Sequence, residues 1–479
     1  METETLSKDH SIGIEVKIIT GYIIALFIYS VGDRFFFTKT IWDNVFTYYL
    51  KMISENLRLE DAIYILGIPV VLFLIYRVRG SLRSRDTLFF LLYSLILFGT
   101  AIFDPEIETW WNIRQSCCLL EPLLICYYAS RLLNPDGWKY LIKNTIAYAS
   151  YLWGIGCTVS FIYYLFDYWG YYHFGNVPAT NPQGVSGGRL YGAFSDLNYA
   201  SVVCLMLLLG ILYILKNKLA TKVEKVILWI CLVLFVIYIA LAYSRTVIVA
   251  NIGLCFVISI YTVLQLKKKK ALSATGMLWR VAVRFGILTV GLLAAYFLIN
   301  CICLGLGYIV EPNRLSSELV RPGMMAWDET LGVADARIVI WSDYLHALLD
   351  RPLFGFSADG SFAYVCEHNP LSFVATMGFF HHHNTYVQAL CQVGIVGFVL
   401  IYSNVFIPLI KFMRRVITGQ DENCPAHVKL CFLWCVVALS AGFFYSIGFT
   451  QIRIEGCILW LALGGIGAYT SSHSIVNKM

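Results

Sequence analysis

The sequence predicts an all-α polytopic membrane protein with about 12 transmembrane helices. Three observations carry that prediction. The 479 residues are 58% hydrophobic and only 14% charged, against about 45–50% apolar and about 25% charged in a soluble domain. Mean hydropathy is +0.68. Apolar runs of spanning length recur along the whole chain, and a span needs roughly 20 mostly apolar residues. The net charge of +6 does not point to nucleic acid, because the basic residues sit in short loops between apolar runs.

Twelve apolar segments can be marked, at roughly 17–32, 62–76, 87–103, 116–130, 144–168, 199–215, 226–244, 246–266, 285–310, 385–410, 430–450 and 456–470. Lys and Arg in short loops fix the orientation. One set of loops carries Arg77, Arg79, Arg83 and Arg85, then Arg131, Lys139 and Lys143, then Lys216, Lys218, Lys222 and Lys225. It continues with Lys267 to Lys270, Arg280 and Arg284, and ends with Lys411, Arg414, Arg415 and Lys429. These loops are expected to be cytoplasmic, with both termini inside. The start, Met1 to Lys17, is polar and shows no cleavable signal pattern. Most of the 15 cysteines lie in apolar runs, where they behave as small hydrophobes. No paired spacing suggests a disulfide or zinc framework.

Two outer loops are long. The first, at about 170–198, is rich in Gly, Tyr, Asn and Pro. The second, at 311–384, lies between the ninth and tenth spans. Within it Ile338, Trp341, Leu345 and Leu348 recur at helical spacing and predict an amphipathic helix at the outer membrane surface, ended before Pro352. No internal repeat of the transporter kind is visible.

Three arginines stand on the outer side, where such residues are scarce: Arg189 in "GGRLYGAFSDLNYA", Arg245 in "LAYSRTVIVAN" and Arg337 in "DARIVIW". A guanidinium at such depth is costly unless it faces water or an anion, and its fork fits phosphate bidentately. Against this stand plainer readings: Arg245 as a turn residue snorkelling to headgroups, and Arg189 as an ordinary loop residue.

The run His381-His382-His383 opens the tenth span. Neighbouring residues of an extended chain point to opposite sides, so a metal would need His381 and His383 plus a ligand from elsewhere. A solvated, functionless run is another reading. The catalytic reading rests on His383. Asn384 or Thr385 can cap the following helix, which leaves His383 at its positive end, where the imidazole stays neutral and can act as a general base. Gly394 falls eleven residues on, about three turns along the same face, followed by Gly397. Small residues there let another helix pack closely. The other His-Asn pair, His368-Asn369, is followed directly by Pro370 and lacks the glycines.

Taken together these motifs resemble the O-antigen ligase and O-antigen polymerase superfamily. The signature His, then Asn, nine residues and Gly-x-x-Gly reads here as His383, Asn384, Gly394 and Gly397, with Phe398 where Gly, Thr or Tyr often follows. "RLYGAFSDLNYAS", which contains Asn198, is similar to the family's Arg-x-x-Gly segment, with Leu197 in place of a common proline. "YSRTVIVAN" is similar to its Ser-Arg segment. "RIVIWSDYLHALLDRPLFGFSADG" is similar to its Arg-x-x-x-Trp…Pro-Leu-Phe-Gly-x-Gly segment, with Ser357 at the last glycine. The resemblance divides the chain into N-terminal helices over 1–184, a core over 185–470 that includes the loop 311–384, and a cytoplasmic tail over 471–479.

The resemblance implies a GT-C-type glycosyltransferase of the bacterial cytoplasmic membrane, acting in lipopolysaccharide, capsule or exopolysaccharide assembly. It would be inverting, metal-independent and without cofactor. The donor would be a glycan on undecaprenyl diphosphate and the acceptor a glycan or lipid, with the bilayer and other polysaccharide-assembly proteins as partners. Carried over by position, Arg189 and Arg245 would hold the diphosphate, with Arg337 as a further donor-site residue, and His383 would activate the acceptor hydroxyl. Asn198, Asn384, Gly394 and Gly397 would support the site. Tyr191, Trp327 and Trp341 are candidates for stacking on sugar rings or for anchoring at the lipid interface. A transporter or flippase of lipid-linked glycans is the alternative. It would draw on intramembrane charge, of which Glu121 beside Pro122 is the clear mid-span example. The plainer reading of Glu121 is a carboxylate paired with a buried donor.

Overall fold

The computed structural model describes the chain apart from residues 1–12, 35–58, 78–84, 104–108, 175–176, 187, 270–272, 315–332, 378–381, 422–423, 447–452 and 477–479. His381, Trp327, Arg79, Arg83 and Lys270 lie outside the described residues. The helices in chain order are α1 (Ile14–Arg34), α2 (Leu59–Arg77), α3 (Arg85–Phe103), α4 (Thr109–Leu132), α5 (Pro135–Leu165), α6 (Leu197–Lys216), α7 (Lys222–Ala242) and α8 (Arg245–Lys269). They continue with α9 (Ala274–Val310), α10 (Val333–Leu348), α11 (Gly360–His368), α12 (Phe373–Met377), α13 (Thr385–Thr418), α14 (Ala426–Ala441) and α15 (Ile454–Val476). Strands β1 (Trp169–Phe174), β2 (Val177–Ser186) and β3 (Arg189–Gly192) lie between α5 and α6.

Each of the twelve apolar segments overlaps a helix, and nine of the described helices are long and apolar enough to cross a membrane. The protein is a multi-pass membrane protein. The three segments that fall short do so for separate reasons. In α2 the apolar stretch is only Ile65–Leu74, and α14 stops at Ala441. Helix α4 has length enough, but its first two turns, from Thr109 to Ser116, are polar. Those turns meet the connection ahead of α11, where Trp111 Nε1 donates to Asp359 Oδ2 at 3.0 Å and Ser357 Oγ donates to Asn112 Oδ1 at 2.8 Å.

Helix α15 is the hub. Its apolar window is 83% buried, against 6% for α9, which is left facing outward over nearly its whole length. Close packing of α15 on α4 depends on Gly464, where a Cβ would collide with the Tyr127 carbonyl and the Ser130 hydroxyl. Without a hydrophobic drive between helices in lipid, such close approach is what holds spans together. Glu121 on α4 accepts from the Tyr22 hydroxyl of α1 at 2.8 Å, so the mid-span carboxylate has the buried donor expected of a structural residue.

Within this helical fold one outer loop is ordered as strands. The loop at 170–198 is a three-stranded antiparallel sheet in the order β1-β2-β3, with Trp169 opposite Gly184 and Ser186 opposite Arg189. Its Gly and Pro residues serve the turns and kinks of a sheet, not an irregular loop. Gly192, at φ 68°, passes so close to Ser160 of α5 that a side chain would clash, and Ala193 N donates to Ser160 Oγ at 2.9 Å.

The connection at 311–384 carries α10, α11 and α12. Helix α10 ends ahead of Pro352 as predicted, but its buried stripe is Ile340, Tyr344 and Leu348. Of the predicted stripe, Leu348 is buried while Ile338 and Leu345 are exposed. The stripe is shifted because α10 packs on α13, α11 and α12.

Candidate functional site

The end of the bundle opposite the basic loops is built where α7 meets α8. Tyr243 caps α7 in a left-handed conformation (φ 47°), and α8 begins at Arg245. Two elements hold this corner. Arg189, at the start of β3, donates from Nε to the Ala242 carbonyl at 3.3 Å and from Nη2 to the Tyr243 carbonyl at 3.2 Å. Those carbonyls close α7 and carry the negative end of its dipole. Ser244 Oγ donates to Asn198 Oδ1 at 2.9 Å and accepts from Val247 N. Asn198 sits in the first turn of α6, whose N-cap Asp196 accepts from Asn198 N at 2.8 Å. The two separate motif segments therefore meet, with Arg245 exposed between them.

Arg337 on α10 joins this corner. Burial first, then the positive charges of Arg245 and Arg189, push its pKa below the ordinary arginine value, with Asp196 opposing. An arginine titrates so high that Arg337 remains charged. Arg245 and Arg189 thus lie near enough for their charges to act on Arg337. The Arg337 guanidinium also lies over the Phe444 ring, 5.7 Å from its centroid.

The turn around Phe444 brings in the histidines. Asn384 caps α13, accepting from Tyr386 N at 2.8 Å and Val387 N at 3.1 Å, and its Nδ2 donates to the Phe443 carbonyl at 3.1 Å. Thr385 is not the cap; its Oγ1 donates to the Tyr445 carbonyl at 2.8 Å. His383, directly before the cap, is half-buried and adopts φ 50°. A left-handed non-glycine residue costs about 1–3 kcal/mol and tends to mark functional positions. His382 is instead a buried structural residue. Its ring stacks on Tyr344 at 3.8 Å, its Nε2 meets Ser361 Oγ at 3.1 Å, and its carbonyl accepts from Trp341 Nε1 at 3.0 Å. Trp341 stands one turn after Arg337, so α10 fixes both the arginine and the histidine corner. Among the described residues no group of three His, Cys, Asp or Glu side chains is placed to hold a metal.

Gly394 has a different part from the one its spacing suggests. It is not helical: at φ 63° and ψ −172° it breaks α13 into two. What approaches it is the backbone of Leu353 and Phe354, not another helix. The inserted segment satisfies the peptide groups freed by the break: Phe356 N donates to the Cys391 carbonyl at 2.8 Å, Ile395 N to the Pro352 carbonyl at 2.8 Å and Val396 N to the Leu353 carbonyl at 3.2 Å. Gly355 takes φ 70° for the same close contact. Gly397 is buried where a Cβ would meet the Val393 side chain of its own helix. The first glycine thus locks the loop after α10 onto α13.

Three residues at this end are not among the sequence-predicted site residues. Arg453, 4% exposed, donates to the Tyr445 hydroxyl at 3.1 Å and the Ser446 carbonyl at 3.2 Å, and holds the turn on which Asn384 rests. Its signal in the sequence is that of Arg245, an arginine among apolar residues. Asp359 accepts from Trp111, and burial pushes its carboxyl above the ordinary range while the Trp111 hydrogen bond works the other way. Arg314 pairs with Asp167 at 3.4 Å and ties α9 to α5. Neither Asp359 nor Arg314 carries a spacing that distinguishes it in the sequence. Tyr191 is buried in the core, so its ring is not available for a sugar.

A multi-pass helical membrane protein with clustered arginines and a strained histidine at one end is the class that the fold and this corner define. Residues 230–402 match the family model described as O-antigen ligase. The matched stretch contains Arg245, Arg337, His383, Asn384, Gly394 and Gly397, while Arg189 and Asn198 precede it. The match supports the O-antigen ligase and polymerase superfamily that the motifs resemble, and with it an O-antigen ligase-like membrane enzyme of polysaccharide assembly. No curated protein matches the chain.

Proposed function

We propose that the protein is a membrane glycosyltransferase that transfers or polymerises a glycan from an undecaprenyl-diphosphate-linked donor on the outer face of the bacterial cytoplasmic membrane. The observation that carries this reading is the convergence of Arg189, Arg245 and Arg337 beside the His383 corner, at the end of the bundle away from the basic loops. By the distribution of Lys and Arg, that end is external.

In this reading His383 accepts the proton of the acceptor hydroxyl. The acceptor oxygen attacks the anomeric carbon, the carbon–oxygen bond to the diphosphate breaks, and the configuration inverts. Arg189 and Arg245 hold the diphosphate and receive the charge that develops on it, with Arg337 adding to the field. Charge stabilisation of this kind is often the largest catalytic term. Arginines suffice for it, so the reaction proceeds without a divalent metal. Asn384 keeps the helix end capped so that His383 is held at its positive end.

The test is glycan transfer by the full chain in reconstituted membranes, with a cognate polyprenyl-diphosphate donor and EDTA throughout. Transfer should persist in wild type and in His346→Ala, an exposed histidine on α10, and should be abolished in His383→Ala. Inhibition by EDTA, or full transfer by His383→Ala, would sink the mechanism. His382→Ala is unsuited as a control because the ring is packed on Tyr344.

A further inference from the structure

At the basic end of the bundle lies a cavity of about 550 Å³, between the ends of α2, α4 and α15 and the starts of α5 and α14. Arg77 and Arg131 stand on its wall, Trp138 and His427 stack across it at 5.3 Å and 12°, and Tyr469 and Ser471 close the α15 side. The remaining lining is aliphatic or small. We propose that this cavity binds an anionic, phosphate-bearing ligand, separate from the arginine corner at the other end of the bundle.

Four features point to an anion. Arg131 uses only Nη1 for Asp86 Oδ2 (2.8 Å) and the Tyr127 hydroxyl (3.1 Å); its Nη2 and Nε make no hydrogen bond among the described residues. A guanidinium has five donors in a fixed fork, so Arg131 is anchored on one side and keeps donors for a ligand on the other. Arg77 pairs with Glu15 at 2.7 Å, but both side chains are more than a third exposed. Such a pair is worth at most about 1 kcal/mol and yields readily to a better anion.

The third feature is Arg415 behind Tyr469, 5.2 Å from the ring centroid. Its Nη1 is buried without a hydrogen-bond partner among the described residues. The fourth is the N-terminus of α14, which begins after Pro425 in the lining; that of α5, at Pro135, is already capped by Asn134. Pro425 gives α14 no side-chain cap. Positive helix ends with uncapped N–H groups favour phosphate. The carboxylates nearby, Glu15 and Asp86, are each already on an arginine.

A phosphate diester headgroup and free phosphate share this chemistry. Aliphatic lining beside the charged groups suits a ligand with an apolar portion, and basic pockets between spans on the cytoplasmic side commonly hold anionic lipid headgroups.

The test is thermal unfolding of the full chain, purified in a zwitterionic detergent, titrated with dioctanoyl phosphatidylglycerol, dioctanoyl phosphatidylcholine and inorganic phosphate. Phosphatidylglycerol should raise Tm saturably and phosphatidylcholine should not. Arg77→Gln and Arg131→Gln should each weaken the apparent affinity tenfold or more, while Arg414→Gln, exposed on α13 and outside the cavity, should not. Arg77 sits at the surface, so Arg77→Gln tests the site even where Arg131→Gln fails to fold. A shift with phosphatidylglycerol alone identifies a lipid headgroup, and an equal shift with phosphate identifies a free anion. Equal shifts with phosphatidylcholine, no shift with either anion, or unchanged affinity in Arg77→Gln would overturn the proposal.

Discussion

The two ends of the bundle both carry arginines and use them differently. At the basic end arginine meets carboxylate: Arg131 with Asp86 at 2.8 Å and Arg77 with Glu15 at 2.7 Å, alongside Lys143 with Glu224 at 3.4 Å. At the other end Arg314 still pairs with Asp167 at 3.4 Å, but Arg189 meets main-chain carbonyls, Arg337 meets an aromatic ring, and neither Arg245 nor Arg337 forms an ion pair among the described residues. Carbonyls and ring faces orient a guanidinium without cancelling its charge. Charge that is left uncancelled and concentrated is of use only against an anion. The comparison separates arginines anchored on carboxylates from arginines held by neutral groups.

The largest effect expected from that separation concerns transfer itself. Arg245→Ala should lower the rate of glycan transfer roughly 100- to 1000-fold, the cost of removing one group that stabilises developing charge. Arg414→Ala, an exposed arginine at the basic end, should leave the rate unchanged. Single-turnover assays in the same proteoliposomes would read both. Equal losses would mean that position in the bundle does not distinguish the arginines, and the comparison would fail.

The next effect falls on the loop lock. Gly394→Ala places a Cβ against the Leu353 and Phe354 backbone at a φ of 63°, and should cost about 2–4 kcal/mol of stability. Gly286→Ala in α9, where nothing lies within 4 Å, should be neutral or stabilise the helix by about 0.5–1 kcal/mol. Thermal unfolding of the two variants in one detergent decides it. A mild effect at Gly394 would show that the helix break is dispensable.

These two residues also show how far the sequence could be read. Arg245 announced itself, because a charge amid forty apolar residues must have a reason that hydropathy alone exposes. The positions of the twelve apolar segments were legible on the same grounds, since hydropathy is a local property. Gly394 was legible as a glycine that mattered, but not as a helix break. Its φ is set by the Pro352–Gly355 segment, which lies forty residues earlier in the chain and meets it only in the fold. The sheet over 169–192 was missed because Gly and Pro mask strand alternation. The packed, structural role of His382 was likewise hidden, since its stacking on Tyr344 of α10 is a contact between segments distant in the chain. Three of the twelve segments fall short of a span's length or composition among the described residues, in α4 because its polar first turns are sheltered by a neighbouring loop.

A smaller effect sharpens the account of the arginine end by asking about its carboxylates. Asp359 is buried against Trp111, and its pKa is raised chiefly by that burial. A carboxyl with a raised folded pKa binds its proton more tightly in the folded state. Its stabilising contribution is therefore present below the ordinary aspartate range and is lost as pH rises through the raised value. Asp359→Asn keeps an acceptor for Trp111 and carries no charge. The variant should be more stable than wild type at neutral pH, with the advantage shrinking as pH falls toward the ordinary aspartate range. Tm measured against pH for both proteins tests this. An advantage that grows on acidification would mean that Asp359 is held ionised by a positive partner, which would tie it to the arginine cluster.

The smallest effect concerns Ser357, which stands at a motif position where glycine is usual. The backbone there has φ 69°, a conformation glycine adopts freely and serine does not. Serine is retained with a buried hydroxyl that donates to Asn112 Oδ1 at 2.8 Å, while Asn112 is itself fully buried and its Nδ2 has no partner among the described residues. Relief of the backbone in Ser357→Gly is worth about 1 kcal/mol. Loss of the bond, with one more buried acceptor left unmet, costs about 1–3 kcal/mol. The two nearly offset, and Tm should fall only slightly. Ser357→Ala loses the bond and keeps the strained backbone, so its Tm should fall further. If the glycine variant proves as damaging as the alanine one, the left-handed turn carries no strain, and the preference for glycine at this position must come from the close approach of α4.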